Sequence, residues 1–538
     1  MINLYTLPGV GFNAPSHYIP LINGYLNNRK IETIQIDLSI NFLNKNITTN
    51  YFRKDLKYYN SLPKSKKELI SKISIIKNDM QSNIIDTEKI LNANKQFLEI
   101  LNLYANKYNI NWTRKGLEFG NSLSTIDEVI NYSLRKENNI FDNILIEEAR
   151  KEQSIVYMSV QYPFQLIYAI RFSKLIKNNH KEAKIIFGGD YITHIKENLG
   201  DLLEKCNYID SFILFGNHNY LYQLIKYYQN EHSSNIFNTI IRCDKKIIFN
   251  NIATENIEDI DNYIPNYDGI NLNNYLSNLK LINLSLNYGC YHSKCKFCSR
   301  YYYYNGCFKR YNIDLVCNFI KEMYEKEKIE AIYFIDECVP PDELIRVAEY
   351  LIKNNIQIKW MVETRIDKRL LEKELPKLLF DSGCREISFG IESNNQKLLN
   401  RMDKRIFLKD TKKVMKNFYK SGITVSATFM LGYPGENKIT MIRTLRFIEK
   451  FKYIDTYGLG VFQYMRNSIL VNNSNLNVSD DLNLIYRIIG DKYDYYQSII
   501  DRFNKKKKIK KFSDFRSKLL YRSEYLYLDR KKYSLNFK

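Results

Sequence analysis

Three cysteines fall within nine residues in the stretch Asn287-Tyr-Gly-Cys290-Tyr-His-Ser-Lys-Cys295-Lys-Phe-Cys298-Ser-Arg300, at the spacing C-x4-C-x2-C. A tight loop can aim three thiolates at one centre, which is how cysteine sulfurs hold iron–sulfur clusters. Cubane clusters commonly take four cysteines, so three leave one iron open to an exogenous ligand. Gly289 lets the backbone approach closely, and Lys294, Lys296 and Arg300 offset the negative charge of a cluster. The same residues admit structural zinc, with Cys307 or His292 as fourth ligand. The Cys295–Cys298 pair suits zinc, but no second C-x2-C pair completes a ribbon. Three buried cysteines with no metal is the poorest account of so polar and aromatic a loop.

The elements around this loop decide where it points. Strand candidates are Ile282–Leu286, Ala331–Ile335, Ile358–Val362, Glu386–Gly390, Thr424–Leu431 and Thr456–Phe462. A helix-like segment follows each, most clearly Asp342–Lys353, Lys368–Asp381, Lys409–Lys420 and Ile439–Phe451. Six strand–helix units predict a partial α/β barrel, whose chemistry sits on loops at the carboxyl ends of the strands. The cysteine loop leaves the first of these strands. Upstream, Ile2–Leu7, Thr33–Asp37, Ile155–Ser159, Lys184–Phe187 and Phe212–Phe215 read as strands, with helices over Tyr18–Asn28, Phe164–Lys177 and Tyr220–Tyr228. That alternation predicts a doubly wound parallel sheet, with a helical insertion at about 45–150. The expected organisation is an α/β domain over 1–250, a polar linker over 251–279, the barrel over 280–465 and a helical, basic segment over 466–538.

Composition narrows the class. The chain has 538 residues, 45% of them hydrophobic and 26% charged, as in soluble globular proteins. No apolar run reaches the ~18–20 residues that span a bilayer, and the N-terminus has no basic and apolar export signal. Nine cysteines without such a signal fit a reducing cytosol rather than a disulfide framework. Six of them (Cys206, Cys243, Cys307, Cys317, Cys338 and Cys384) are read as small buried hydrophobes. Of the net charge of +21, residues 501–538 carry +10, from 14 basic and 4 acidic side chains. We read this tail as a solvated terminus rather than a nucleic-acid patch.

The cysteine loop resembles that of the radical S-adenosylmethionine (SAM) superfamily, with one residue more than the commonest family spacing. Gly-Cys-Tyr-x-x-Lys-Cys-x-Phe-Cys is similar to a variant in members that carry an N-terminal cobalamin-binding domain. Phe334-Ile-Asp336-Glu337, Glu363-Thr364-Arg365-Ile-Asp367, Gly390-Ile-Glu392-Ser393 and Leu431-Gly432-Tyr433-Pro434-Gly435-Glu436 stand in the order and register of later family segments. The resemblance implies that Cys290, Cys295 and Cys298 hold a [4Fe-4S] cluster. It further implies that Phe297, Asp336, Glu337, Arg365, Glu392 and Ser393 contact SAM, and that SAM is cleaved to a 5′-deoxyadenosyl radical. Barrel-rim ion pairing is the plainer reading of Arg365, and packing under the loop that of Phe297. Tyr301–Tyr304 are candidates for a substrate channel.

The first domain resembles cobalamin-binding domains, on Pro15-Ser16-x-Tyr-Ile-Pro20 and on Ser159, Gly188 and Gly189 at strand ends. The family's Asp-x-His-x-x-Gly loop corresponds to Asp37-Leu-Ser39-Ile-Asn-Phe42, which has neither histidine nor glycine. His17, His194 and His218 are possible substitutes. The implied function is cobalamin-dependent C-methylation of a peptide or small natural product, with electrons from a flavodoxin or ferredoxin, in the cytoplasm, without membrane or nucleic acid. No catalytic side chain is assigned. The alternatives are radical cyclisation, rearrangement or oxidation over a degenerate cobalamin domain, and a zinc-stabilised RNA- or peptide-binding module.

Overall fold

The computed structural model describes residues 1–9, 11–82, 87–113, 116–119, 123–137, 139–216, 218–231, 236–244, 246–253, 265–473, 487–488 and 493–506. The basic tail beyond residue 506 lies outside them, so its expected character is not placed in the fold. The chain divides between Asn278 and Leu279 into two compact units. Among the described residues no helix is long and apolar enough to cross a membrane.

The first unit is built on a seven-stranded sheet. Its strands are β1 (Ile2–Thr6), β2 (Thr33–Asp37), β3 (Ile155–Ser159), β4 (Lys184–Gly188), β5 (Ser211–Ile213), β6 (Thr239–Cys243) and β7 (Lys246–Phe249). Their order is β2-β1-β3-β4-β5-β6-β7. The first five run parallel, and every residue of β3 is buried, as expected of a sheet covered on both faces. The antiparallel β6–β7 hairpin at the edge departs from the expected all-parallel sheet. Its Arg-Cys and exposed Ile248 and Phe249 break the pattern of a buried strand. The insertion is mainly helical and encloses an aromatic core of Phe42, Phe97, Tyr104, Trp112 and Phe141. It also holds a short antiparallel pair, Ile110–Thr113 with Gly116–Phe119.

The described part of the expected linker, from residue 265, belongs to this unit. Buried Tyr267, Leu272, Tyr275 and Leu276 anchor it. Leu276 N–H donates to Phe12 O, and Tyr275 O–H donates to the Asp37 carboxylate at 2.9 Å. The anchors are spaced among Asn and Asp, so local composition conceals them. Residues 254–264 lie outside the description.

The second unit is a six-stranded parallel sheet in sequential order: β8 (Leu281–Leu284), β9 (Ala331–Phe334), β10 (Lys359–Thr364), β11 (Cys384–Glu392), β12 (Thr424–Leu431) and β13 (Thr456–Val461). Each neighbouring pair is parallel. The connecting helices include α1 (Ile313–Lys326), α2 (Pro341–Lys353), α3 (Leu375–Asp381), α4 (Leu408–Ser421) and α5 (Lys438–Lys450). Apolar residues spaced three and four apart bury one face of each, for example Leu344, Val347, Ala348 and Leu351 on α2. Sequential parallel order with a helix in each crossover is the arrangement of a partial barrel. A C-terminal helix, α6 (Tyr493–Lys506), closes one side: Ile500 packs with Leu431 and Met441, and Tyr457 O–H donates to Asn504 at 2.9 Å.

Candidate active site

The cysteine loop begins where β8 ends, and the next strand holds it in place. Asp336 follows β9, is buried, and accepts from the backbone N–H of Leu286 and Asn287 and from Asn287 Nδ2 at 2.7–3.2 Å. Both carboxylate oxygens are therefore committed to the loop. Burial pushes Asp336 up to about 7 against these hydrogen bonds. Asn287–Tyr288 then pairs antiparallel with Lys309–Arg310. Gly289 turns at φ +84°, and a Cβ there would stand 2.3 Å from Cys307 O, so only glycine fits. Further along, Lys296 N–H donates to Met402 O at 2.9 Å and Lys296 O accepts from Leu470 N–H at 2.8 Å. The loop is thus pinned to the segments that follow β11 and β13.

The three sulfurs differ electrostatically. Cys290 is lowered to about 6, first by the neighbouring Cys338 thiol, then by the N–H groups of Ser293 and His292 and by the Lys404 charge. Burial raises Cys295, which feels both Cys290 and the Lys404 ammonium. Burial raises Cys298 to about 12, although Arg300 N–H donates to its sulfur at 3.4 Å, and Cys298 feels Cys295 in turn. The middle sulfur therefore interacts with both others, and a buried cation sits beside the set. Such a donor set suits a cluster that needs thiolates and compensation of negative charge.

A single zinc ion fits less well. His292 Nε2 lies 2.8 Å from Asp403 O, and the Cys307 thiol donates to Asn305 O at 3.6 Å. Among the described residues no group of three or more His, Cys, Asp or Glu side chains is arranged to hold one metal ion. A cubane, larger than one ion, takes its cysteines farther apart than a first coordination sphere does.

The residues expected to contact SAM divide into two sets. Phe297, Glu392 and Arg365 gather near the cysteines around Lys404. Glu392 sits at a register shift in β11 with φ +68°, a sparsely populated conformation for a non-glycine residue. Its carboxylate accepts from Lys404 Nζ at 2.8 Å, and both side chains are about 10% exposed. Lys404 Nζ also lies 5.7 Å from the Phe297 ring centroid. A side chain at Gly390 would strike both charged ends at 2.8 Å. Arg365 donates to the carbonyls of Lys404 and Arg405 and lies 5.8 Å from the Tyr291 ring centroid, while its buried Nε has no hydrogen-bond partner.

The second set is engaged elsewhere. Glu337 pairs with Arg300 at 3.1 Å, Ser393 is fully buried beside Thr444 at 3.3 Å, and Asp336 clamps the loop. Of the four tyrosines after the loop, Tyr301 is half exposed and Tyr303 is buried. The aromatic series Phe297–Tyr433–Phe462–Tyr464 runs edge to face from the cysteine loop to the segment after β13. Lys404 and Cys338 are the functional candidates that sequence reasoning missed. Lys404 reads as one more surface lysine in Asp403-Lys404-Arg405, and Cys338 as an isolated cysteine.

In the first unit the expected cobalamin residues serve the chain itself. Ser159 Oγ accepts from Gln161 Nε2 at 2.6 Å. A Cβ at Gly188 would meet the Tyr157 hydroxyl at 2.4 Å, and one at Gly189 (φ +107°) would meet Val160 O at 2.5 Å. Close packing within the chain accounts for the glycine pair. Leu38–Asn46 is a helix capped by Asp37, with Ser39 and Phe42 fully buried, so residues 37–42 present no loop and no imidazole. His17, His194 and His218 are all buried, and burial together with the His17 charge lowers His218 to about 3, which keeps it neutral.

Residues 284–448 match the radical SAM superfamily. An uncharacterized methyltransferase of Pyrococcus horikoshii is 22% identical over 158 residues, covering 29% of this chain and 34% of that protein. An anaerobic magnesium-protoporphyrin IX monomethyl ester cyclase of Cereibacter sphaeroides is 22% identical over 312 residues, covering 56% of this chain and 50% of that protein. The chain thus spans a third to a half of the length of these curated relatives. Among solved structures, the radical SAM methyltransferase TsrM of Kitasatospora setae, with cobalamin and a [4Fe-4S] cluster bound, superposes with a TM-score of 0.57 at 11% identity. That superposition covers 87% of this chain and 76% of TsrM. The cobalamin-dependent radical SAM enzyme OxsB, with aqua-cobalamin bound, gives 0.61 at 13% identity, covering 93% of this chain and 66% of OxsB. At these identities the likeness establishes a shared fold that extends over both units.

Proposed function

With residues 284–448 a radical SAM domain, we propose that the chain is a radical SAM enzyme that performs cobalamin-dependent C-methylation of a peptide or small natural product. The carrying observation is the C-x4-C-x2-C loop, clamped by Asp336 at the carboxyl end of the first barrel strand. Cys290, Cys295 and Cys298 would hold a [4Fe-4S] cluster, and Lys404 compensates part of its charge. A cluster and SAM held there would provide one-electron cleavage of the sulfonium to methionine and a 5′-deoxyadenosyl radical, with the electron drawn from a flavodoxin or ferredoxin. The chain's own work is positional. Glu392 at the end of β11 and Lys404 in the loop beyond it present one carboxylate and one cation, matching the ammonium and carboxylate of a methionyl group. Phe297 offers an aromatic face.

Cobalamin is supported by the fold shared with TsrM and OxsB across both units. Since residues 37–42 offer no imidazole, it would be held without a histidine from that stretch. The same observation favours a second reading, radical chemistry over a first unit that has lost the corrinoid.

The test is anaerobic reconstitution of the full chain. Iron and sulfide uptake with 5′-deoxyadenosine release, both abolished in Cys295→Ala, is the expected result. Stoichiometric corrinoid supports methylation, whereas SAM cleavage without bound corrinoid selects the second reading. Stoichiometric zinc with no SAM cleavage overturns both.

A further inference from the structure

The turn beyond the last barrel strand carries an arginine without a counter-ion. After β13, Tyr464–Met465 pairs antiparallel with Arg487–Ile488. The chain then reverses. Ser468 N–H donates to Met465 O at 3.0 Å, closing a turn whose two central residues are Arg466 and Asn467. Asn467 has φ +64°, the left-handed conformation that asparagine tolerates at the second central position. Beyond the turn, the Ser468 hydroxyl accepts from Val471 N–H at 3.3 Å, and Leu470 N–H donates to Lys296 O at 2.8 Å. Lys296 lies between Cys295 and Cys298, so the turn is tied to the cysteine loop, among the loops at the carboxyl ends of the strands. The aromatic series Phe297–Tyr433–Phe462–Tyr464 leads to it from the same loop.

Two donors on this turn lack partners. Arg466 Nη1 and Asn467 Nδ2 are buried atoms with no hydrogen bond. Other arginines of the barrel unit are satisfied by the chain: Arg300 by Glu337, Arg310 by Asp342 and Glu343, Arg369 by Asp367 and Asp342, and Arg405 by Asp403. Among the described residues no carboxylate pairs with Arg466. A desolvated donor on a cation is costly unless an acceptor reaches it. A guanidinium and a primary amide on adjacent residues complement an oxyanion, whose oxygens accept from both. We propose that Arg466 and Asn467 are specificity-determining residues that bind an oxyanion, carboxylate or phosphate, carried by the substrate. The inference rests on the radical SAM reading above and narrows its substrate to an anionic one. Lys404 supplies the cation for the methionyl carboxylate, which leaves Arg466 for the second reactant.

The experiment follows hydrogen–deuterium exchange of residues 464–470 in the reconstituted full chain, titrated with succinate and, separately, with inorganic phosphate. Potassium chloride at equal ionic strength is the control. Succinate, phosphate or both should slow exchange in this segment saturably, and the arm that acts tells a carboxylate from a phosphate. Arg466→Gln should weaken the titration about tenfold or more, as expected for a charged donor, and Asn467→Gly, which suits the left-handed backbone, about fivefold. Iron and sulfide per chain should equal the parent's in both variants, and so should exchange elsewhere in the barrel. Saturating SAM should leave the titration midpoint in place. No slowing by either anion in an iron-loaded chain, equal slowing by chloride, or full slowing in both variants overturns the inference and leaves the radical SAM reading standing. Displacement of the anion by SAM, with weaker SAM binding in Arg466→Gln, also overturns it, because the turn would then hold the carboxylate of SAM. A chain that takes up no iron and sulfide overturns the radical SAM reading and the substrate assignment with it.

Discussion

Lys404 and Glu392 show at the residue scale how a site can be hidden in a sequence. Glu392 was legible as a residue the family resemblance places against SAM, whereas Lys404 was not, and twelve positions separate them. Their pairing depends on a register shift in β11 and on the absence of a side chain at Gly390, neither of which has a local signature. The cysteines were legible because their spacing is itself the chemistry. Asp336 and Ser393 were legible as polar residues at strand ends, but their actual partners are backbone amides and Thr444, contacts that only the fold supplies. The buried pair carries a prediction. Lys404→Met leaves the Glu392 carboxylate in a poorly solvated place without its cation, which costs about 3–5 kcal/mol. Adding Glu392→Gln should recover most of that loss in stability while leaving SAM binding impaired. The chain has two tryptophans, Trp112 in the first unit and buried Trp360 in the barrel. Urea unfolding followed by Trp360 fluorescence in a Trp112→Phe background therefore reads the barrel alone. A Lys404→Met barrel as stable as its parent would mean that the pair is not structurally coupled.

At the scale of elements, hydrophobic periodicity placed all six barrel strands and most helices to within a few residues, because five of the strands are buried along most of their length and each helix shows one apolar stripe. The misses have physical causes. The β6–β7 hairpin is short and partly exposed, and the pair Ile110–Thr113 with Gly116–Phe119 interrupts a segment otherwise rich in helix formers. The segment from residue 265 resembled a linker because its four apolar anchors are diluted by asparagine. The cysteine loop is the element on which function depends, and Gly289 is its hinge. Alanine there adds a Cβ against Cys307 O in a left-handed backbone, a strain of about 1–3 kcal/mol confined to the loop. Gly289→Ala should lose most of its iron on reconstitution while Trp360 unfolding falls by no more than that strain, about 1–3 kcal/mol. Full iron loading in Gly289→Ala would show that the turn is not needed to aim the sulfurs.

At the scale of the whole molecule, the barrel unit concentrates carboxyl groups, three of them buried and Glu436 partly so, whose proton affinity is raised. Burial lifts Asp336 and Glu436 to about 7, and Glu343 and Glu386 to about 8. In the unfolded chain these groups ionise near 4. Between those limits the folded state holds protons that the unfolded state has released, so stability is fully present below about pH 4 and falls as pH rises through 7 to 8. His292 works in the opposite sense, since burial lowers it to about 4, but its contribution is complete once pH exceeds about 6.5. The carboxylates with lowered values, Asp342, Asp367 and Asp403, act only at acid pH. Cys290, lowered to about 6, opposes the carboxyls over this range because its thiolate forms there only in the folded chain, but it is one group against four, so the barrel should lose stability from pH 6.5 to 8.5, on the order of 1 kcal/mol per carboxyl. Glu386 is the sharpest test. It is fully buried at the start of β11, Ser426 Oγ donates to one of its oxygens, and the other has no hydrogen-bond partner. Glu386→Gln keeps the acceptor for Ser426 and removes the charge, so the slope of the Trp360 urea midpoint against pH should flatten in that variant. A parent midpoint that holds or rises over the same range would show that these carboxyls ionise freely in the folded barrel.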